Sequence, residues 1–301
     1  MKNIFQKLLV NMGENKNIIK ITQQKDEELN KEYDVYVIET DNKNYVIKKS
    51  SSNYEARIYE MLSVNKEFGV PMYLGYMQDD EENIWMLMEY ISGNTINNEG
   101  LNTYCKLARE LGKIHGKFLK IEQSNYDYKF LRNSNKRIED KLLKIKEMDI
   151  HIKYKITDDI LKKIDAIIRR MIKRPQTLIQ NDLLPINVMK DGNNIKIIDW
   201  EHGTIGIYTS DIGRLLGDCK NDNGEQRVNK QWESDILNTY YMEISKSNHF
   251  TVTYEEFLND YEYSRLINYV GIVFAFVING WEVTDWYRLN LEKMVYQLKG
   301  V

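Results

Sequence analysis

Two cysteines in 301 residues, Cys105 and Cys219, leave no material for a disulfide framework, and neither has a neighbour at metal-ligand or redox spacing. Reduced thiols inside a cell are expected. Long apolar runs are also missing. No stretch nears the roughly 20 residues that a membrane helix requires, and the opening MKNIFQKLLVNMGENKN interrupts its apolar positions with Gln6, Lys7 and Asn11, unlike the continuous apolar region of a signal peptide. A soluble, cytoplasmic protein is expected. Charge of one sign does not accumulate either: 42 Lys and Arg against 45 Asp and Glu leave a net charge of -3, spread along the chain. No nucleic-acid or membrane-surface partner is implied.

The length, 301 residues, exceeds the size at which one core usually stops growing, so a two-lobed unit or two domains are expected. The first ninety residues read as short strands rich in Val, Ile, Tyr and Met: NIIKIT, YDVYVIET, NYVIKKS, MYLGYMQ and NIWMLMEYI. A Ser cluster followed by Tyr54, Ile58, Met61 and Leu62 at helical spacing predicts one helix among them. Beyond ISGN the pattern turns to helices, over Leu101 to Ile121, Thr157 to Lys173, Gln226 to Lys246, Tyr254 to Ile278 and Trp281 to Lys299. They are interrupted by the strands TLIQ, NVMK and IKIID.

That interruption carries the chemistry. In LIQNDLLPINVMKDGNNIKIIDWEHG, Asp182 in a loop after a strand is followed by Asn187 five residues on and by Asp199 twelve further. Three oxygen ligands so placed suit a hard ion such as Mg²⁺, which keeps several waters and also binds substrate phosphates. Asp and Asn also serve plain turns. However, Asp199 ends an apolar strand, where a carboxylate needs a cation or strong donors. Upstream, VIKK and Glu55 on the next helix offer a Lys and a Glu able to pair and to reach phosphates. Lys49 replaces Lys48 only if the strand register slips by one.

The pieces YVIKK, YEARIYEML, MEYISG, LARELGKIH, NDLLPINVM and IIDWEHGTIGIYTSDIGRLL occur in one order from about Tyr45 to Leu216. In order and rough spacing they resemble the aminoglycoside phosphotransferase and choline kinase group. The resemblance implies an α+β, bilobal, protein-kinase-like fold. A small N-terminal nucleotide-binding lobe, residues 1–91, would hold an antiparallel sheet and one helix, and a larger, mainly helical catalytic and substrate-binding lobe would span 92–301. It further implies that Lys48 contacts the nucleotide phosphates with Glu55 holding it. Backbone groups of Glu89 and Ile91 would meet the adenine edge, and Met88 would line the pocket. Asp182 would orient the attacking hydroxyl, Asn187 and Asp199 would hold Mg²⁺, and Asp211 would steady the catalytic loop; a plain helix N-cap is the other reading of Asp211. The cofactors implied are Mg²⁺ and ATP, with GTP beside it. No oligomeric state is implied.

The chain departs from the family pattern twice. Gln180-Asn181-Asp182 stands where the family has His-Gly-Asp or His-Asn-Asp, which leaves loop support to the Gln180 amide. The first hairpin, TQQKDEELNKEYDVYVIE, has no glycine, so a nucleotide-binding pseudokinase stands beside the enzyme reading. Only eleven residues separate Asp199 from Asp211, too few to dock a peptide, which favours a small-molecule acceptor. In the C-terminal third, Glu262, Glu282 and Asp285 suit a cationic acceptor such as an aminoglycoside. Trp281, Trp286 and Tyr287 suit a quaternary ammonium such as choline. Each of these is also at home as a solvated acid or a core aromatic. A choline, ethanolamine or sugar-type kinase is the alternative to an antibiotic-type phosphotransferase.

Overall fold

The computed structural model describes residues 1–14, 16–26, 31–120, 128–147, 156–219 and 228–299. The tip of the first hairpin and the expected helix ends at Ile121 and Gln226 lie outside the described residues. The chain forms two compact units, Met1–Ile96 with Asn187–His202, and Asn97–Ile186 with Gly203–Val301.

In the first unit, β1 (Ile18–Asp26), β2 (Lys31–Thr40), β3 (Asn44–Ser50), β4 (Tyr73–Gln78) and β5 (Ile84–Glu89) form an antiparallel sheet in the order β1-β2-β3-β5-β4. Alternation along β3 sorts its side chains onto two faces. Tyr45 and Ile47 join the buried Tyr36, Ile38, Trp85 and Leu87, which are covered by Phe5, Leu8 and Leu9 of helix α1 (Lys2–Asn11). Val46, opposite Met88, and Lys48, opposite Met86, take the other face, where Ala56 of helix α2 (Tyr54–Ser63) packs on Ile84 and Met86. The register answers the choice between the two lysines: the Lys49 ammonium lies 5.5 Å from the centre of the Trp85 ring, on the α1 side.

A second, three-stranded sheet of this unit holds β6 (Asn94–Thr95), β8 (Val188–Asp191) and β9 (Asn194–Ile197) in the order β6-β8-β9. Its close pairing explains the glycine of ISGN. A Cβ on Gly93 would stand 1.7 Å from the Lys190 carbonyl oxygen, so no larger residue fits without moving the backbone.

The second unit is mainly helical: α3 (Leu101–Phe118), Ser134–Glu147, Asp158–Met171, Ser210–Gly217, Lys230–Ile244, Tyr254–Ile278 and Asp285–Lys299, with β7 (Gln176–Ile179) paired antiparallel to β10 (Thr204–Ile207). Thr157 caps the third of these helices, and Thr253 with Glu256 forms a reciprocal capping box at the start of Tyr254–Ile278. Helices α1 and Ser134–Glu147 were not expected from the sequence. The last helix starts at Asp285 rather than Trp281. Among the described residues no helix is long and apolar enough to cross a membrane.

Candidate active site

In the first unit, β3 carries Lys48 onto the face that α2 covers, and α2 places Glu55 within reach. Lys48 Nζ donates to Glu55 Oε1 at 3.0 Å and also to Asp199 Oδ1. Asp199 follows β9, whose Ile195 and Ile197 are buried, and is set by what flanks it. Trp200 is wholly buried with its Nε1 donating to the Ile197 carbonyl at 3.2 Å, and the Asp199 amide donates to Tyr59 Oη at 3.1 Å. Asp199 has φ of 60°, a sparsely populated conformation for a residue with a side chain, and such strain persists only where the surroundings enforce it. Asn187 ends a short turn before β8, and its carbonyl accepts the Ile198 amide at 2.9 Å. The β8–β9 register thus sets Asn187 beside the residue that precedes Asp199.

Motif reading missed Glu201. It lies 3.6 Å from Lys48 Nζ, and carboxylate oxygens of Glu55, Asp199 and Glu201 all fall within 4.8 Å of one another. Three carboxylates around one ammonium leave an excess of negative charge where the Glu55 side chain is only 2% exposed. Burial accordingly pushes the Glu55 carboxyl up to about 7, against the pull of Lys48. Burial also pulls Lys48 down, but Glu55 and Asp199 outweigh it and hold the ammonium above its ordinary range. Hard oxygens with surplus negative charge are a donor set that fits a magnesium ion and the phosphates it carries.

A pH dependence follows. Folded Glu55 holds its proton to about 7 and an ordinary glutamate only to 4.5, so between those values the folded state binds the extra proton. Stability therefore falls as pH rises through that window, by about 3 kcal/mol from this group. Glu55→Gln is expected to flatten the slope between pH 4.5 and 7 in denaturant titrations; an unchanged slope would refute the assignment.

Met88, on the Lys48 face, is buried, and the Glu89 amide donates to the Met72 carbonyl at 2.9 Å. The Glu89 carboxylate accepts the Met72 amide at 2.8 Å. Among the described residues the Ile91 amide finds no acceptor, which leaves it available to a ligand. A cavity of about 520 Å³ in this unit is lined by Asn44, Tyr45, Leu74 and Tyr90 among others. Tyr45 stands on the α1 face of the sheet, opposite Lys48, so this cavity is not the phosphate site.

In the second unit, the loop after β7 holds Gln180, Asn181 and Asp182. Asp211, wholly buried in the first turn of helix Ser210–Gly217, accepts the Gln180 amide at 2.7 Å on Oδ2 and the Asn181 amide at 2.8 Å on Oδ1. The N-cap of that helix is Thr209, so Asp211 does not cap its own helix, and the N-cap reading is corrected. His115 Nε2 lies 3.3 Å from Asp211 Oδ2 and its Nδ1 2.8 Å from Tyr240 Oη, which donates to the Tyr208 carbonyl at 2.7 Å. Gln180, also wholly buried, accepts the Asp182 amide on its Oε1 at 2.8 Å. Its side-chain oxygen thus supports the loop directly. Asn181, between them, has φ of 70°. Asp211→Ala orphans the buried Gln180 amide and the partly buried Asn181 amide, and hydrogen bonds to charged groups contribute about 1.5–3 kcal/mol each. A loss of about 3 kcal/mol or more is expected in chemical denaturation, and a loss under 1 would show that the loop stands without it.

Motif reading assigns no role to Arg214, which contacts Asp182, or to Asp218, which contacts Arg214. Arg214 donates to Asp182 Oδ1 from Nε and Nη2 at 3.2 and 3.1 Å, and it pairs with Asp218. Asp218 accepts Trp286 Nε1 at 3.1 Å and Tyr287 Oη at 3.3 Å. Of the six residues expected at the acceptor, Trp286 and Tyr287 are the ones that described contacts connect to Asp182, through Asp218 and Arg214. Glu262 pairs with Arg265 at 3.5 Å, Asp285 with Arg288 at 2.8 Å, and Glu282 is exposed. Trp281 and Tyr287 each pack edge-on against Phe276, at 5.7 Å.

The sequence profile of the phosphotransferase enzyme family, APH, matches residues 28–240. The chain belongs to that family. A protein LicA homolog of Mycoplasma capricolum subsp. capricolum is 28% identical over 186 residues, 61% of this chain and 66% of that one. The match thus spans just under two thirds of that relative's length. A choline kinase from Cryptosporidium parvum Iowa II superposes with a TM-score of 0.63 at 16% identity, covering 99% of this chain and 94% of that one. The GDP complex of aminoglycoside 2'-phosphotransferase-IIIa gives 0.60 at 13% identity, with 99% of each chain covered. The fold is the protein-kinase-like one, with its antiparallel sheet and mainly helical remainder.

Proposed function

We propose that the protein transfers the γ-phosphoryl group of ATP, with Mg²⁺, to a hydroxyl of a small cationic molecule, with an aminoglycoside-like acceptor as the leading candidate. The observation that carries this reading is the Lys48 ammonium held by Glu55 and Asp199 in a cluster rich in carboxylate oxygens. In the proposed division of labour, residues 1–91 bind the nucleotide and 92–301 supply catalysis and acceptor binding. Met88 lines the base, Glu89 and Ile91 meet its edge through the backbone, and Lys48, steadied by Glu55, binds the phosphates. Asn187 and Asp199 would hold the metal, which when bound neutralises charge on the transferring group. Asp182 accepts or orients the proton of the attacking hydroxyl. Its loop is set beforehand by Gln180 and Asp211, which suits a reaction that depends on positioning more than on covalent chemistry.

A small acceptor is favoured by the course of the chain after Asp199. The turn Trp200–His202, the strand β10 and the start of helix Ser210–Gly217 use up the residues to Asp211. No length remains to lay out a peptide. Cationic acceptors are favoured by the surplus acid of Asp182 and Asp218 over Arg214. A choline- or ethanolamine-type acceptor is the second reading, favoured by the aromatic group of Phe276, Trp281 and Tyr287. A panel assay of Mg-ATP consumption against aminoglycosides, choline, ethanolamine and sugar alcohols tests both. One amine-bearing class should be phosphorylated at a hydroxyl. Binding of Mg-ATP without transfer to any acceptor would instead make the protein a nucleotide-binding pseudokinase.

A further inference from the structure

Arg214 stands between two carboxylates of its own unit. Its Nε and Nη2 both point at one oxygen of Asp182, at 3.2 and 3.1 Å, and Nη1 pairs with Asp218 one helical turn further on. The Arg214 side chain is 14% exposed and that of Asp218 only 5%. Withdrawing these charges from water is costly, and a bridge of this kind adds little to stability compared with an apolar replacement. The contact on Asp182 is end-on, two donors to a single oxygen, rather than the fork-to-fork pairing that engages both oxygens. It fixes the rotation of the carboxylate and turns the other edge of the guanidinium to Asp218. Asp218 is gripped in turn by Trp286 Nε1 and Tyr287 Oη, and Tyr287 Oη also lies 3.5 Å from Arg214 Nη1. These two donors are adjacent residues in the first turn of helix Asp285–Lys299.

We propose that Arg214 is a positioning residue for phosphoryl transfer, setting the orientation of Asp182, and that Asp218, held by Trp286 and Tyr287, sets Arg214 in turn; this rests on Asp182 acting as the base. The first turn of the last helix then bears on the base without touching it. A planar guanidinium is needed because one group has to present two edges to two acids, which the point charge of a lysine does less well.

Steady-state kinetics of Arg214→Gln, Arg214→Lys, Asp182→Asn and the Asp182→Asn/Arg214→Gln pair test this, with thermal melts to confirm folding. Arg214→Gln should lower kcat by about 10- to 100-fold, the scale of a misplaced catalytic group, and leave the KM for Mg-ATP within about twofold. Arg214→Lys, which keeps the charge and serves if the Gln variant does not fold, should recover part of that loss. The double variant should be no slower than Asp182→Asn alone, because nothing remains to be positioned. Losses that multiply in the double variant, or wild-type kcat in Arg214→Gln, would overturn the proposal. Absence of transfer by the wild type refutes the phosphotransfer reading instead. The coupling is then read from the Arg214 Nε–H resonance, which should shift in both Asp182→Asn and Trp286→Phe; a resonance unmoved by either overturns the positioning role.

Discussion

Asp182→Asn should lower kcat by about 10²- to 10⁴-fold, the usual contribution of a positioned general base, and leave Mg-ATP affinity within about twofold. The expectation comes from how the residue is held. Its amide is fixed by Gln180, whose own amide is fixed by the buried Asp211, so an Asn at 182 inherits the same backbone. Only the ability to take a proton is removed, along with the charge that Arg214 faces. A loss confined to kcat, measured beside nucleotide titration calorimetry, supports the assignment. Equal losses in affinity and turnover would mean that Asp182 acts on the nucleotide.

Asp199→Asn should be as damaging by a different route. A metal ligand contributes several kcal/mol of charge stabilisation in the transition state, and about 1.4 kcal/mol is a factor of ten. A fall of at least about a hundredfold is expected, together with a rise in the Mg²⁺ concentration needed for half-maximal rate. The fold should survive, because Lys48 keeps Glu55 and Glu201 as partners. Removing one of three carboxylates also relieves repulsion in the cluster, so the variant should melt no lower than wild type. An inactive variant with an unchanged Mg²⁺ requirement would place the metal elsewhere. Stability lost with activity would make Asp199 a structural residue.

These residues were legible because their chemistry dictates both type and spacing. Lys48 sits on a strand and Glu55 one element later, and Asp182, Asn187 and Asp199 bracket one short hairpin. The strand pattern of the first ninety residues was equally plain, since alternation along β3 and β5 sorts Lys48 from Tyr45. Arg214 and Asp218 were hidden because a lone Arg and an Asp four residues on look like any solvated helix pair. Their meaning appears only when the fold brings Trp286 and Tyr287 onto Asp218. Glu201 was passed over because it follows Asp199 by two residues and reads as part of the turn.

Helix α1 did leave a signal, Phe5, Leu8 and Leu9 at helical spacing, which Gln6, Lys7 and Asn11 obscured. Glu262, Glu282 and Asp285 left a less specific signal. Acid near aromatics suggests a cation site, yet Glu262 and Asp285 are paired with arginines on their own helices and Glu282 faces solvent. Gln180 is the clearest gain. The sequence marks it as a departure from the family's His, and the fold shows its side-chain oxygen bonded to the Asp182 amide.

Transfer of the γ-phosphoryl group of ATP to a small molecule by the machinery around Asp182 would leave a phosphate ester on the acceptor. Phosphorus NMR of wild-type protein incubated with Mg-ATP and an amine-bearing hydroxyl acceptor tests it most directly. A new phosphate-ester signal on the acceptor is expected, growing as ATP falls to ADP and at least about a hundredfold slower with Asp182→Asn. Ester formation at the same rate with Asp182→Asn, or ATP bound and unchanged in the presence of every acceptor, would contradict it.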